Sequence, residues 1–439
     1  MCKLERYGNC DEETKDQEYC IFHKPNKSEE EAREFYEKFL KKFKPKKEKK
    51  IIIDLVDMKE IERLIFEEAV DYRRYVFPEI PEGVDFSFAF SVFKGDAQFE
   101  NATFKGSASF EGATFEEGAS FEDATFEEDA LFWRAIFKGG ASFWGAIFKG
   151  RASFLGTIFK GIAWFEEARF EDDALFERAT FEEDALFWRA IFKGIAWFKD
   201  ATFEKGAWFE DATFKGMADF LGKRVNFECK FYDELNFSNT EFRRGVFIDI
   251  PSERFKLPSA EAEACRVQRI SYEREGRKDD ADRMFVRERR ALRRAEVEEA
   301  KANVREVKAL NPTSFGKKVR IWFVIKATSN YLLAKGRSSL EFLLADLTCE
   351  YGTNWKRPVI LWMLFVFFIF PLLYFILGGI TKVSSILDYL YFSIVTATTL
   401  GYGDLQPIGW CKLIASTEAI FGTFMWAVFL VVFARKYMR

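Results

Sequence analysis

Phenylalanine recurs every eleven residues through the middle of this chain, and no feature restricts its folding more. From Phe88 the positions Phe99, Phe110, Phe121, Phe132, Phe143 and onward to Phe242 keep that step, and a second series from Phe93 to Phe214 runs between them. The two series alternate steps of five and six, which no helix satisfies. Alanine stands two residues before nearly every Phe, as at Ala97, Ala102, Ala108 and Ala113, with Thr157 an exception. Large and small residues two apart share one face of an extended segment, so Phe and Ala point inward while the Thr, Ser, Ile or Trp between them points outward. The count of 53 Phe in 439 residues reflects this repeat and not an average core.

The pattern resembles the pentapeptide-repeat family, and the resemblance implies a right-handed four-sided β-solenoid in which each side places one large and one small residue inside. With one extra residue, often Gly, at alternate corners, a coil takes about 22 residues, and about seven coils at ~4.8 Å each make a rod of roughly 35 Å. Identical segments at Phe126 to Gly139 and Phe181 to Gly194 point to growth by duplication of half-coils. The register decays after Gly222, where Val225 and Cys229 stand in place of Phe and Ala. Between Phe86 and Phe247 there are 28 acidic and 19 basic residues. Some members of that family are acidic rods that imitate DNA, but a rod attached to a membrane segment reads better as a solvated spacer or assembly surface, and no nucleic-acid partner is expected. Outward Trp164, Leu186 and Trp208 fall 22 apart on one face, an apolar stripe that suggests contact with a neighbour.

Residues 1–27 hold Cys2, Cys10, Cys20 and the single histidine, His23. Three thiolates and one imidazole can complete a closed tetrahedral zinc shell, and so short a segment needs metal to hold a fold; the alternative is a tail with incidental cysteines. Seven Cys and no N-terminal signal peptide place the long N-terminal part in a reducing cytoplasm, without disulfides. Ser28 to Glu31 is a capping-box signature for a helix through Phe43, with Phe35, Phe39 and Leu40 along one side. A second helix is expected over Asp57 to Tyr75 from Ile61, Leu64, Ile65 and Ala69, making 28–85 a helical cap on a solenoid spanning 86–250.

A charged helical segment follows over 251–311, with a break at Gly276 and a basic run from Arg287 to Arg294 that suits the acidic rod, anionic lipid or plain solvent. Residues 312–357 mix Lys and Arg with Trp322, Phe323, Leu340 and Leu344; too charged to span a membrane, they read as interfacial or linker helices, with burial against the cytoplasmic part an equal alternative. Pro358 to Leu377 is an uncharged run long enough to cross a bilayer, and its Pro371 is tolerable where neighbours re-satisfy the freed carbonyl. A second span covers 413–433, with Gly422 as a bending point and Glu418 as its one charge. An intramembrane acid must face partners, so Glu418 is expected behind the short helix 386–398, which Ser385 and Asp388 cap.

Between the spans stands Thr396-Ala-Thr398-Thr399-Leu400-Gly401-Tyr402-Gly403-Asp404. Glycines at alternate positions let successive backbone carbonyls point the same way, as selection of a dehydrated cation requires. Here the chain resembles the potassium-channel family, whose filter usually reads Thr-Val-Gly-Tyr-Gly-Asp; Leu400 replaces the valine, and exact selectivity is open at that point. The resemblance implies a filter at 399–404, potassium ions in it, a pore domain at 358–439, and a homotetramer, because one chain supplies one strand of a four-strand filter. Thr398, Glu418 and Gly422 are the candidates for pore support and gating.

Lys356, Arg357, Arg435, Lys436 and Arg439 flank the spans, so the positive-inside rule places both termini in the cytoplasm of a multi-pass protein of the cell membrane. The leading function is a potassium-selective channel subunit whose solenoid assembles or regulates the pore, with room for a cytoplasmic protein partner or ligand. The alternative is a membrane-anchored interaction scaffold with a non-selective or non-conducting pore segment. No nucleophile, base or phosphate loop is evident, so an enzyme is not expected. The gating stimulus has no sequence signature.

Overall fold

The computed structural model describes residues 2–53, 58–221, 229–309 and 317–437. They fall into two compact units, 1–288 and 289–439, with the division inside one long helix.

In the first unit, two-residue strands alternate with turns to build four parallel sheets, each strand pairing with the one a full coil later in the chain, as Phe126 does with Phe104 and Phe148. The repeat dictates this. From Phe88 to Phe220 every inward Phe stacks on its equivalent 22 residues away, rings nearly parallel and centroids close to 5 Å apart, as in Phe110 on Phe132 at 5.0 Å and Phe132 on Phe154 at 5.0 Å. Neighbouring columns meet edge to face, as Phe121 and Phe132 do at 5.4 Å and 84°. This offers each ring both favoured aromatic geometries. The paired alanines are buried beside them, and Thr157, the exception, is buried with its hydroxyl donating to the Phe132 carbonyl at 2.7 Å.

Three features go beyond the expected repeat. First, the extra residue falls on the six-residue steps, often as Gly as expected, where a Cβ on Gly150 would lie 2.5 Å from the Glu128 backbone. A left-handed residue recurs every eleven positions on the five-residue steps instead, and Gly fills only some of these sites while Asn101, Asp123, Arg134, Glu167 and Asp200 fill others. Their cost of roughly 1–2 kcal/mol each is offset by the flanking Phe layers. Second, Phe231 and Phe242 do not continue the series ending at Phe220. Phe231 stacks on Phe203 and Phe242 on Phe214, so both change columns, because this coil is longer by six residues. The eleven-residue arithmetic survives that insertion by coincidence. Val225 lies outside the described residues, while Cys229 is buried in the core.

Third, the second helix expected in the cap, over Asp57 to Tyr75, does not form among the described residues. Helix α1, Glu29–Phe43, has its expected capping box and buries Phe35, Tyr36 and Phe39 over the first coil, with Phe35 edge-on to Phe77 at 5.5 Å. Strands β1, Lys46–Ile53, and β2, Met58–Phe66, then form an antiparallel hairpin where the second helix was expected. The end of β2 pairs in parallel with Val92 and Phe93, and Phe66 stacks on Phe93 at 4.8 Å. That pairing decides the matter: Leu64 and Phe66 are buried with Ile65 between them less so, a period of two. Asp57 lies outside the described residues.

The apolar stripe is in register, Trp164 beside Leu186 and Leu186 beside Trp208. Its indoles lie down on the coil surface. A Cβ on Gly140 would fall 2.6 Å from the Trp164 ring, and one on Gly206 2.2 Å from Trp208 Nε1.

Helix α2, Pro258–Arg274, closes the far end of the solenoid. Buried Gln268 accepts from the Ile248 amide at 2.7 Å and Glu263 from the Phe237 amide at 3.1 Å, so side chains satisfy strand donors that would otherwise be left at an open edge. Gly276, at φ 74°, separates α2 from α3, Lys278–Ala309. Arg287 of α3 bonds Asp249 at 2.9 Å and the Ile250 carbonyl at 2.7 Å, tying down the last coil.

The second unit contains the rest of α3, then α4, Lys317–Glu341, an elbow over residues 342–355, an outer helix Lys356–Leu377, a short helix Ile386–Ala397 and an inner helix Cys411–Tyr437. The outer and inner helices are long and apolar enough to span a membrane. Trp322, Phe323, Leu332, Leu340, Phe342 and Leu344 are exposed along α4 and the elbow.

Candidate functional site

The short helix is positioned from both ends. Ser385 accepts from the Leu387 amide, and Asp388 reaches back to the Ser384 and Ser385 amides, which pulls its carboxyl below the ordinary value. The other end is held from behind. Ser393 Oγ lies 2.7 Å from the Val366 carbonyl and also bonds Glu418 of the inner helix, while Tyr374 of the outer helix donates to Glu418 at 2.6 Å. Glu418 is fully buried, in the location its cost in a membrane requires.

The Val366 carbonyl is available because the outer helix makes a wide turn at Phe365–Ile369, in which the Phe370 amide bonds the Phe365 carbonyl. The next donor in that register belongs to Pro371, which has none, and Ser393 serves instead.

Gly422 is not a bend. The inner helix runs unbroken from Cys411 to Tyr437, and a Cβ at Gly422 would lie 2.2 Å from the Ala397 carbonyl oxygen. Glycine there lets the inner helix touch the C-terminal turn of the short helix.

Thr398 closes that turn, its hydroxyl donating to the Ile394 carbonyl at 2.6 Å. Thr399 then takes φ 60°, and Gly401 and Gly403 take φ 59° and 79°. A left-handed β-branched residue is strained, the kind of outlier that gathers at functional sites. Thr399 Oγ1 donates to the Thr398 carbonyl at 2.7 Å. Leu400 and Tyr402 are 60% and 68% exposed, so within one chain Tyr402 packs against nothing among the described residues that would wedge the segment in place. Beyond exposed Asp404 the chain is tied back: the Thr381 amide donates to the Gln406 carbonyl at 2.9 Å and the Ile408 amide to Gly379 at 2.8 Å.

The elbow before the outer helix carries a second constellation, which sequence reading did not find. Asp346, 3% exposed, receives Arg290 at 2.7 Å and Arg293 at 3.1 Å from α3. Glu350 pairs with Arg357 at the start of the outer helix, and the Tyr351 carbonyl accepts from Arg435 near the end of the inner helix at 3.0 Å. Burial pushes the Asp346 carboxyl up, but the two guanidiniums more than offset it and hold it below the ordinary value. The basic run of α3 is thus spent on internal ion pairs. Its acidic partners lie some fifty residues away, which is why the run alone gave no hint of them.

At the N-terminus the structure brings Cys2, Cys10, Cys20 and His23 together, their ligand atoms all within 4.8 Å of one another. His23 Nδ1 is 3.0, 3.6 and 3.7 Å from the sulfurs of Cys20, Cys10 and Cys2. Around a tetrahedral zinc, donor atoms lie ~3.3–3.8 Å apart, so the donor set fits in both chemistry and spacing. All seven cysteines are free.

Comparison with known proteins recognises the solenoid and the membrane segment separately. Residues 88–136, 132–180, 154–202 and 176–222 match the family model described as pentapeptide repeats, and residues 358–439 match the one described as ion channel. The protein is therefore a membrane protein in which an ion-channel domain follows a pentapeptide-repeat solenoid. Over 43 residues it is 46% identical to potassium channel K2 of Plasmodium falciparum (isolate 3D7), a stretch covering 10% of this chain and 3% of that protein. No solved structure matches.

Proposed function

We propose that the chain is one subunit of a potassium-selective channel, with the backbone oxygens of Thr399, Leu400, Gly401 and Tyr402 and the Thr399 hydroxyl as ion ligands, Gly403 completing the turn and Asp404 at the outer mouth. The observation that carries this reading is the left-handed conformation at alternate positions 399, 401 and 403, directly after the negative C-terminal end of a short helix. The likeness to a potassium channel supports potassium as the ion. One segment cannot surround an ion, and the exposed Leu400 and Tyr402 provide surface for neighbours, so four copies are proposed to close the pore. Flanking positive charge supports a cytoplasmic location for both termini. Liposomes containing the protein should show a reversal potential that follows the potassium gradient when sodium opposes it. Gly403→Ala, strained at φ 79°, should abolish that current. A wild-type current without potassium preference would favour the scaffold reading.

Cys2, Cys10, Cys20 and His23 are proposed to hold one structural zinc. Bound there it supplies a cross-link between residues 2, 10 and the turn at 20–23, and four protein ligands leave no position for catalysis. Elemental analysis should find one zinc per chain, lost in Cys20→Ser. Metal-free wild type with a protease-resistant N-terminus would rule it out.

A further inference from the structure

At the closed end of the solenoid, α2 leaves part of the last coil uncovered. An open cleft of about 360 Å³ lies between residues 237–246 and one side of α2. That is within the size range of small-molecule sites, roughly 300–1,000 Å³. Arg243, Arg244, Arg266 and Arg274 line it, against a single carboxylate, Glu275. Glu275 is itself engaged, accepting from Ser271 at 3.0 Å and lying 3.6 Å from Arg277 outside the lining. Arg243 is paired with Glu241, Arg266 with Glu263, and Arg274 donates to the Phe242 carbonyl at 2.9 Å. Each of these guanidiniums keeps donors to spare out of five. Arg244 is exposed and makes no ion pair among the described residues. Between the cations, Phe242, Val246 and Ile270 provide an apolar floor.

Guanidinium forks from two elements lining one cleft over an apolar floor match a compact polyanion carrying a ring or short chain. Planar bidentate donors take carboxylate and phosphate alike, and four cations around one cleft favour the higher charge of phosphate. We propose that this cleft binds a phosphate-bearing small molecule of about mononucleotide size, its phosphate held by Arg244 and Arg274 and its apolar part against Ile270. The ligand bridges the last coil, through Arg243 and Arg244, to α2, through Arg266 and Arg274. Because α2 continues past Gly276 into α3, occupancy stiffens the joint between the solenoid and the helix leading away from it.

The full-length protein in detergent is titrated calorimetrically with pyrophosphate, AMP and ATP, and separately mixed with vesicles containing phosphatidylglycerol. Saturable binding of at least one probe is expected, weakened about tenfold or more by Arg244→Glu at constant salt and blocked by Ile270→Trp, which fills the floor. Arg244 is exposed and has no hydrogen bond or ion pair to lose among the described residues, so thermal unfolding of Arg244→Glu without ligand should match wild type. Binding of the soluble probes identifies a free phosphate compound; binding of the vesicles alone identifies a lipid headgroup with the same chemistry. No saturable binding by any probe, or equal affinity in Arg244→Glu, overturns the proposal. The readout is binding and does not depend on conduction by the pore.

Discussion

Ser393 and Glu418 join three helices of the membrane segment at one point, and the consequences of cutting that junction can be ranked. Glu418→Ala leaves the Tyr374 hydroxyl buried without its partner, at about 1–3 kcal/mol for the orphaned group, while Ser393 keeps the Val366 carbonyl. Glu418→Gln keeps the shape and an acceptor, so it should lose less. Thermal unfolding of detergent-solubilised protein should therefore rank wild type above Gln and Gln above Ala; an Ala variant as stable as wild type would show that the junction contributes nothing. The requirement for this site was legible in sequence, since a lone acid in a span must find partners and a proline must leave a carbonyl to be served. Which hydroxyls would serve depends on helix rotation, which no local pattern specifies. Gly422 was misread for a related reason: close approach to Ala397 is a tertiary fact, and glycine in a helix signals a bend equally well.

Elements built on strict repetition were readable, while those decided by a single long-range contact were not. The solenoid follows from the Phe and Ala spacing because each coil meets only copies of itself. Its surface charges also repeat, with Lys105 bonding Glu127, Lys138 bonding Glu116 and Lys160 bonding Glu182, all one coil apart, so much of the excess acid sits in ladders. The β1–β2 hairpin was missed because helical spacing of Ile61, Leu64 and Ile65 competes with strand pairing, and only the stack of Phe66 on Phe93 resolves it. The Asp346 cluster was missed because its members come from α3, the elbow and both membrane helices. Asp346→Asn should leave Arg290 and Arg293 poorly compensated, costing about 3–5 kcal/mol at that site, and should change open probability without moving the reversal potential. Because the Asp346 pKa is depressed by folding, its stabilisation is complete above the unfolded value near 3.9 and is lost as pH falls through the folded value. Single-channel records should thus show no Asp346-dependent change between about pH 8 and pH 5; a difference between Asn variant and wild type that appears only across that window would contradict the assignment.

For the molecule as a whole, the question is which part can move. In the solenoid every coil is bonded to the next through backbone amides and stacked through Phe rings close to 5 Å apart, as in Phe143 on Phe165 at 4.9 Å, and no second packing of those columns is available to switch into. The elbow differs. Glu350, Tyr351 and Gly352 are all left-handed, at φ 47°, 54° and 81°, next to a wide helical turn at Phe342–Leu347 and an ion-pair cluster that links α3 to the outer and inner helices. Strain and charge pairing together make this segment the candidate for movement. We expect the filter to depend only on the pore domain and the opening to depend on the elbow, with the solenoid as a rigid part that assembles subunits. Deleting residues 3–251 removes the solenoid but keeps α2, α3 and the whole elbow. Potassium selectivity, read as the reversal potential in opposed gradients, should be unchanged, while tetramer yield or open probability falls. A truncated protein that still assembles into stable tetramers yet passes sodium as readily as potassium would show that the solenoid shapes the filter, and the division of labour between rigid coil and mobile elbow would have to be abandoned.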